Sequence, residues 1–197
     1  MPQGAGWCNP AAGRVRGGGV PLPGGPGSVS RWGMAAGHHH TGDAPSVTCG
    51  ILTISDTRTE ADDLSGKRIR ELLQAQGHRV GLYRIVKDEP REIVALIQNA
   101  PAEIEVLICH GGTGIARRDT TYEAITGLLD KEITGFGELF RMLSWDQVGA
   151  AAMLSRATAG IAGQRAIFSL PGASRAVDLA MTKLILPELG HIAGLLK

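Results

Sequence analysis

The spacing of apolar residues changes several times along this chain, and each change predicts an element. Val47 to Ile54 is rich in β-branched residues and predicts a buried strand. From Leu64 to Gln76 the apolar positions Ile69, Leu72 and Leu73 share one helical face, and Gly77 is a fitting stop. His78 to Val86 predicts a second strand. Asp88 then offers a cap, and Pro90 a first turn, for a helix buried through Ile93, Leu96 and Ile97. Ile104 to Ile108 is apolar except for Glu105 and predicts a third strand over Glu105 to Ile108. Thr121 to Leu129 predicts a short helix capped by Thr120 or Thr121. Gly135 to Leu143 predicts another, packed through Phe136, Leu139, Phe140 and Leu143. Met153 to Arg156 is less periodic. Arg165 to Leu170 predicts a late strand, followed by a helix from about Arg175, with Ser174 as its cap, to Leu186. Pro187 should end or kink it.

Strands alternating with helices indicate an α/β class: a three-layer domain around a mostly parallel sheet. In such sheets the turns after the strands gather along one edge, where ligands bind. Ser55-Asp56, Lys87-Asp88-Glu89, Gly111 to Asp119 and Pro171 to Ser174 all follow strands, so they should meet there.

Composition confines this reading to part of the chain. Residues 1–45 hold 12 of the 28 glycines and 6 of the 10 prolines. A stretch so poor in clustered apolar residues should be disordered. Met34 is a second candidate start for the translated chain. His38-His39-His40 in the same stretch is a weak metal-binding pattern. The domain is then 46–197. It keeps 17 basic and 18 acidic residues, a formal charge of −1. That balance argues against a nucleic-acid surface. Cys8, Cys49 and Cys109 form no paired framework, as expected of reduced cytoplasmic thiols. No apolar run reaches membrane-spanning length.

The candidate chemistry begins after the third strand, at Gly111-Gly112-Thr113-Gly114. Glycines there allow positive φ, and successive N–H groups form an anion nest. The lysine of a Walker A loop and the spacing of a dinucleotide fingerprint are both missing. Arg117 and Arg118 suit phosphate oxygens. Asp88 and Asp119 suit magnesium, which takes carboxylates together with substrate phosphates. Ser55, Asp56 and Ser174 are candidate polar contacts to substrate, or else turn and cap residues. Ser155-Arg156 fits structural hydrogen bonding as well as substrate contact. His110 reads as a packed residue, and no Gly-x-Ser-x-Gly elbow is present.

Ile54-Ser55-Asp56, Lys87-Asp88-Glu89-Pro90 and Gly111 through Ala124, continued by Gly135 to Arg141, Leu154 to Ala157 and Leu170-Pro171-Gly172, resemble the MoaB/Mog family of molybdenum cofactor biosynthesis over about residues 47–190. The resemblance implies a molybdopterin-binding α/β domain, usually a homotrimer. It implies adenylylation of molybdopterin with magnesium and ATP, before a separate molybdate-inserting protein takes the product. Asp88 and Asp119 match the family's two acidic catalytic positions, and the glycine loop its substrate-binding segment. Phe140 to Ser144 and Ile167 to Gly172 look closer to the MoaB branch, whose expected membership includes inactive proteins. A pterin-binding scaffold without activity is therefore the alternative.

Overall fold

In the computed structural model of the protein, residues 46–197 are described; Cys8, Met34 and His38-His39-His40 lie outside them. The strands are β1 (Thr48–Ile54), β2 (Arg79–Val86), β3 (Val106–His110), β4 (Lys131–Glu132), β5 (Thr158–Ala162) and β6 (Arg165–Leu170). The helices are α1 (Leu64–Ala75), α2 (Pro90–Gln98), α3 (Thr121–Thr126), α4 (Thr134–Val148), α5 (Ser174–Ala180) and α6 (Leu186–Leu195). A 3-10 turn, Gly149–Leu154, follows α4.

The six strands lie in the order β2-β1-β3-β6-β5-β4. The pairs β1–β2, β1–β3 and β3–β6 are parallel; β5–β6 and β4–β5 are antiparallel. The chain builds outward from β1 to β2 and then returns to the other side for β3. The order therefore reverses between β1 and β3, and in open α/β sheets the carboxyl ends of the strands at such a reversal are where ligands bind.

One sheet face packs Ile51, Ile108 and Phe168 against α1, α4, α5 and α6 through Leu73, Phe140, Val177 and Leu189. The other packs Leu52, Leu107 and Ile167 against α2 and α3 through Ile93, Ile97 and Ile125. The helices thus enclose the sheet, the arrangement a nearly continuous apolar β3 demands.

Several local expectations are corrected. Glu89, not Asp88, is the N-cap of α2, and no side chain closes that cap. Thr120 is the N-cap of α3, as expected, although its side chain makes no capping hydrogen bond. Ser174 is the first residue of α5, not its cap, which is Ala173. Helix α4 runs on to Val148, past Leu143. Pro187 does not end the last helix. Met181–Ile185 form a π-helical segment, and the Leu186 N–H donates five residues back to Met181. This wider turn gives the chain room to absorb a proline.

The β5–β6 hairpin was not expected. It turns on Gly163, at φ +59°. Arg165 locks the base of β6 from the side. Its Nε donates to Ile104 O at 2.8 Å, Nη1 to Ile97 O at 3.1 Å, and Nη2 to Ala100 O and Pro101 O at 3.2 and 3.0 Å. Burial pushes this guanidinium's pKa below its ordinary value. Cys49 and Cys109 are buried and unpaired, and burial pushes both thiols up to about 12, which leaves them unreactive. No helix among the described residues is long and apolar enough to cross a membrane.

Candidate functional site

β3 ends in two glycines of positive φ, Gly111 at +103° and Gly112 at +60°. A side chain at Gly111 would collide with the Ile54 carbonyl, and one at Gly112 with Asp88 and the Thr121 hydroxyl. These positions need glycine because backbone and carboxylate come that close. The Gly111 N–H donates to Leu170 O at 3.0 Å, which ties the loop to the end of β6. The next three N–H groups, of Gly112, Thr113 and Gly114, find no acceptor among the described residues. Thr113 is itself buried. Successive free amides on such a turn can form an anion-binding nest.

Asp88 and Asp119 both reach this turn. Asp88 Oδ1 accepts from the Thr120 N–H at 3.3 Å, the Thr120 hydroxyl at 3.0 Å and the Thr121 hydroxyl at 3.2 Å. Its Oδ2 faces Gly112 and accepts no hydrogen bond from the described residues. Asp119 Oδ2 accepts from the Ala116 N–H at 2.8 Å and lies beside Gly114; its Oδ1 is likewise free. Each aspartate therefore has one carboxylate oxygen without a hydrogen-bond partner among the described residues. Among the described residues no three His, Cys, Asp or Glu side chains form a metal cage. Two carboxylates plus ligand phosphates fit magnesium, which seldom has an all-protein cage.

The remaining sequence-predicted residues divide. Ser55 Oγ accepts from the Thr57 and Arg58 N–H groups at 3.3 and 3.2 Å, so it shapes its own turn. Asp56 Oδ1 accepts from the Asp88 N–H at 3.2 Å and links the turns after β1 and β2. Arg117 and Arg118 are exposed and pair with no carboxylate among the described residues. Ser174 stands apart from the aspartates. Ser65 Oγ donates to Gly172 O at 2.9 Å, so its partnership with Ser174 Oγ, also 2.9 Å, has Ser174 as donor. Gly172 packs against Gly111, which joins this corner to the glycine loop. A hollow of about 780 Å³, lined by Ser174, Arg175, Lys67 and Gln147, opens beside it.

A buried polar cluster beneath the loop went unread in the sequence. Asp63 caps α1 by accepting from the Gly66 N–H at 2.9 Å. Its Oδ2 takes the Thr53 hydroxyl at 2.5 Å and the Tyr83 hydroxyl at 2.7 Å. Because the Thr53 proton goes to Asp63, Thr53 must accept from His110, whose Nε2 lies 2.9 Å away; this fixes the Nε2–H tautomer. Burial pushes the Asp63 carboxyl up, but hydrogen bonds from Thr53, Gly66 and Tyr83, with His110 nearby, hold it below its ordinary value. Burial pushes the His110 imidazole down to about 4, against the pull of Asp63. His110 is packed, as expected, and directly precedes Gly111. The available signal was the cap spacing from Asp63 to Gly66.

Residues 50–191 match the family model described as "Probable molybdopterin binding domain". The chain belongs to this family. Among its relatives, the molybdenum cofactor biosynthesis protein B of Halalkalibacterium halodurans is 56% identical over 157 residues, covering 78% of this chain and 92% of that protein. A crystal structure of a molybdenum cofactor biosynthesis protein B superposes with a TM-score of 0.75 at 53% identity, over 78% of this chain and 97% of the other. The tungsten cofactor synthesizing protein MoaB from Pyrococcus furiosus gives 0.69 at 40% identity, over 76% and 96%. Membership of the molybdopterin-binding family accords with the mostly parallel six-stranded sheet.

Proposed function

We propose that this protein binds molybdopterin in the cytoplasm and acts in molybdenum cofactor biosynthesis, transferring an adenylyl group from ATP to the pterin. Residues 46–197 are the acting domain. The observation that carries the reading is the row of free amides at Gly112, Thr113 and Gly114, flanked by one open oxygen each from Asp88 and Asp119.

The molybdopterin phosphate attacks the α-phosphorus of ATP. A new P–O bond forms, the bond to the bridging oxygen of the β-phosphate breaks, and pyrophosphate leaves with the electron pair. The attacking phosphate is largely ionised at neutral pH, with a second pKa near ~6 by analogy with phosphorylated side chains. No strong base is required, so positioning and charge neutralisation carry the rate. The free amides hold phosphate oxygens, Arg117 and Arg118 neutralise them, and Ser174 with the hollow beside it receives the pterin end. Asp88 and Asp119 would hold magnesium, which when bound supplies positive charge for the phosphates.

A second reading has its own observation. Asp88 Oδ1 and Asp119 Oδ2 are both engaged in hydrogen bonds that shape the loop, so both aspartates have structural employment without a reaction. On this reading the protein is a pterin-binding scaffold. Incubating the full chain with molybdopterin, ATP and magnesium separates the two: pyrophosphate and adenylylated pterin appear only on the first. Asp119→Asn retains an acceptor for the Ala116 N–H and should keep fold and pterin binding while losing roughly 10²-fold or more in turnover. Unchanged turnover would remove Asp119 from the reaction.

The apolar side chains of Leu139, Met142, Trp145, Val148, Met153 and Leu154 are exposed on α4 and the turn after it. So large an uncovered patch favours self-association, in keeping with a homotrimer. The adenylylated product would pass to a separate molybdate-inserting protein.

A further inference from the structure

The segment Thr113 to Asp119 carries Asp119, Arg117 and Arg118, yet neither sheet nor helix holds it. Its internal bonds are few: the Asp119 N–H donates to Ala116 O at 2.9 Å, and the Ala116 N–H returns to the Asp119 carboxylate. The remaining restraint comes from a residue far away in sequence. Arg156, between the turn after α4 and β5, lays its guanidinium across both ends of the segment. Nε donates to Thr113 O at 3.3 Å, and Nη2 donates to Gly114 O at 2.5 Å and to Asp119 O at 2.9 Å. Nη1 pairs with Glu123 on α3, and the guanidinium carbon lies 5.0 Å from the centroid of the Tyr122 ring.

We propose that Arg156 is a positioning residue that fixes the loop bearing Asp119 and the two free arginines, without touching the substrate itself. The proposal rests on the adenylylation reading for its catalytic consequence, and on geometry alone for the clamp. Three carbonyls and one carboxylate occupy donors on all three of its nitrogens, which leaves little of the group to grip a phosphate. Glu123 neutralises the charge, so the clamp does not draw ligand anions away from Arg117 and Arg118. Only a planar fork serves three carbonyls that stand side by side. A lysine ammonium concentrates its donors at one point and cannot span them. With the clamp gone, only the Thr121 N–H donating to Gly112 O at 3.2 Å closes the base of the segment, and the conformational freedom of the residues between returns.

Arg117 and Arg118 provide a direct gauge, because trypsin cleaves after arginine where the backbone can open. Arg156→Met and Arg156→Lys in the full chain should raise cleavage after Arg117 and Arg118 about tenfold or more, while cleavage elsewhere and the circular dichroism spectrum stay as in the wild type. Turnover of molybdopterin with magnesium and ATP should fall about a hundredfold, mostly in kcat, since misplacement of about 1 Å costs that much. Lysine should not rescue. Loop cleavage at the wild-type rate overturns the clamp. Faster cleavage with unchanged kcat overturns its role in positioning. If the wild type makes no pyrophosphate, the adenylylation reading fails separately. Molybdopterin affinity then decides: at least tenfold weaker binding in both variants supports the positioning role, and equal binding overturns it.

Discussion

His110 offers a test whose size follows from burial. The ring is 1% exposed and donates to Thr53, which in turn donates to Asp63; Arg58 and Tyr83 also face that carboxylate. Burial holds its pKa at about 4, against 6.5 for a free imidazole. Between those values the unfolded chain binds a proton that the folded chain refuses. Stability therefore rises with pH across this window and is lost on acidification. The full difference amounts to about 3 kcal/mol, of which about 2 kcal/mol falls between roughly pH 7.5 and pH 5. His110→Gln can still donate to Thr53 but does not titrate. Urea unfolding at fixed protomer concentration, at both pH values, should show the wild type losing about 2 kcal/mol more than the variant. His78, also lowered by burial, contributes a slope of the same sign, but equally to both proteins. Asp63, held below 3.8, gives up its contribution only at still lower pH. Parallel losses in the two proteins would show that His110 is not held neutral, and the buried relay would have been misassigned.

Arg165→Met removes a guanidinium that serves four carbonyls at the end of α2 and the start of β3. It should cost about 3 kcal/mol in urea unfolding, and a loss under about 1 kcal/mol would contradict that role. Trp145→Glu places a charge on a side chain 60% exposed on α4. Size-exclusion chromatography with light scattering should show a smaller assembly with unchanged circular dichroism; an unaltered mass would move the self-association face elsewhere. Gly111→Ala forces a methyl group onto the Ile54 carbonyl at φ +103°. It should lower stability by at least about 2 kcal/mol, read as a fall in Tm, and a neutral result would mean that the close approach is not there.

The long elements were legible because their burial is written in side-chain type. β1 is rich in β-branched residues, β3 is apolar from Val106 to Cys109, and α1 shows its buried stripe at helical spacing. β5 was missed because Thr158-Ala159-Gly160-Ile161-Ala162 has small side chains and no strand pattern. A side chain at Gly160 would collide with Lys131 O, so the close packing of β4 selects that residue. Asp88 and Asp119 were legible as acids near a glycine turn, but their partners were not. Asp88 lies 32 residues from Thr120, which supplies two of its hydrogen bonds. Arg156 lies 43 residues from the carbonyl of Thr113 that it holds. Such pairings follow from strand order, which local propensity does not encode. The Asp63–Thr53–His110 cluster was hidden for the same reason: burial of Thr53 and His110 could be read, but not that Asp63, 10 residues from Thr53, joins His110, 57 residues from Thr53, through the Thr53 hydroxyl.

Where β1 and β3 end, main chain meets main chain, with Gly111 against Ile54 and no side chain between. The junction is thus made of peptide groups, whose chemistry is the same in any protein. Exchanging Gly111 cannot vary that surface, because only glycine fits against the Ile54 carbonyl. Room for substitution lies instead at exposed positions after the strands, such as Arg117, Arg118 and Arg175, and any engineering of this edge has to work through them.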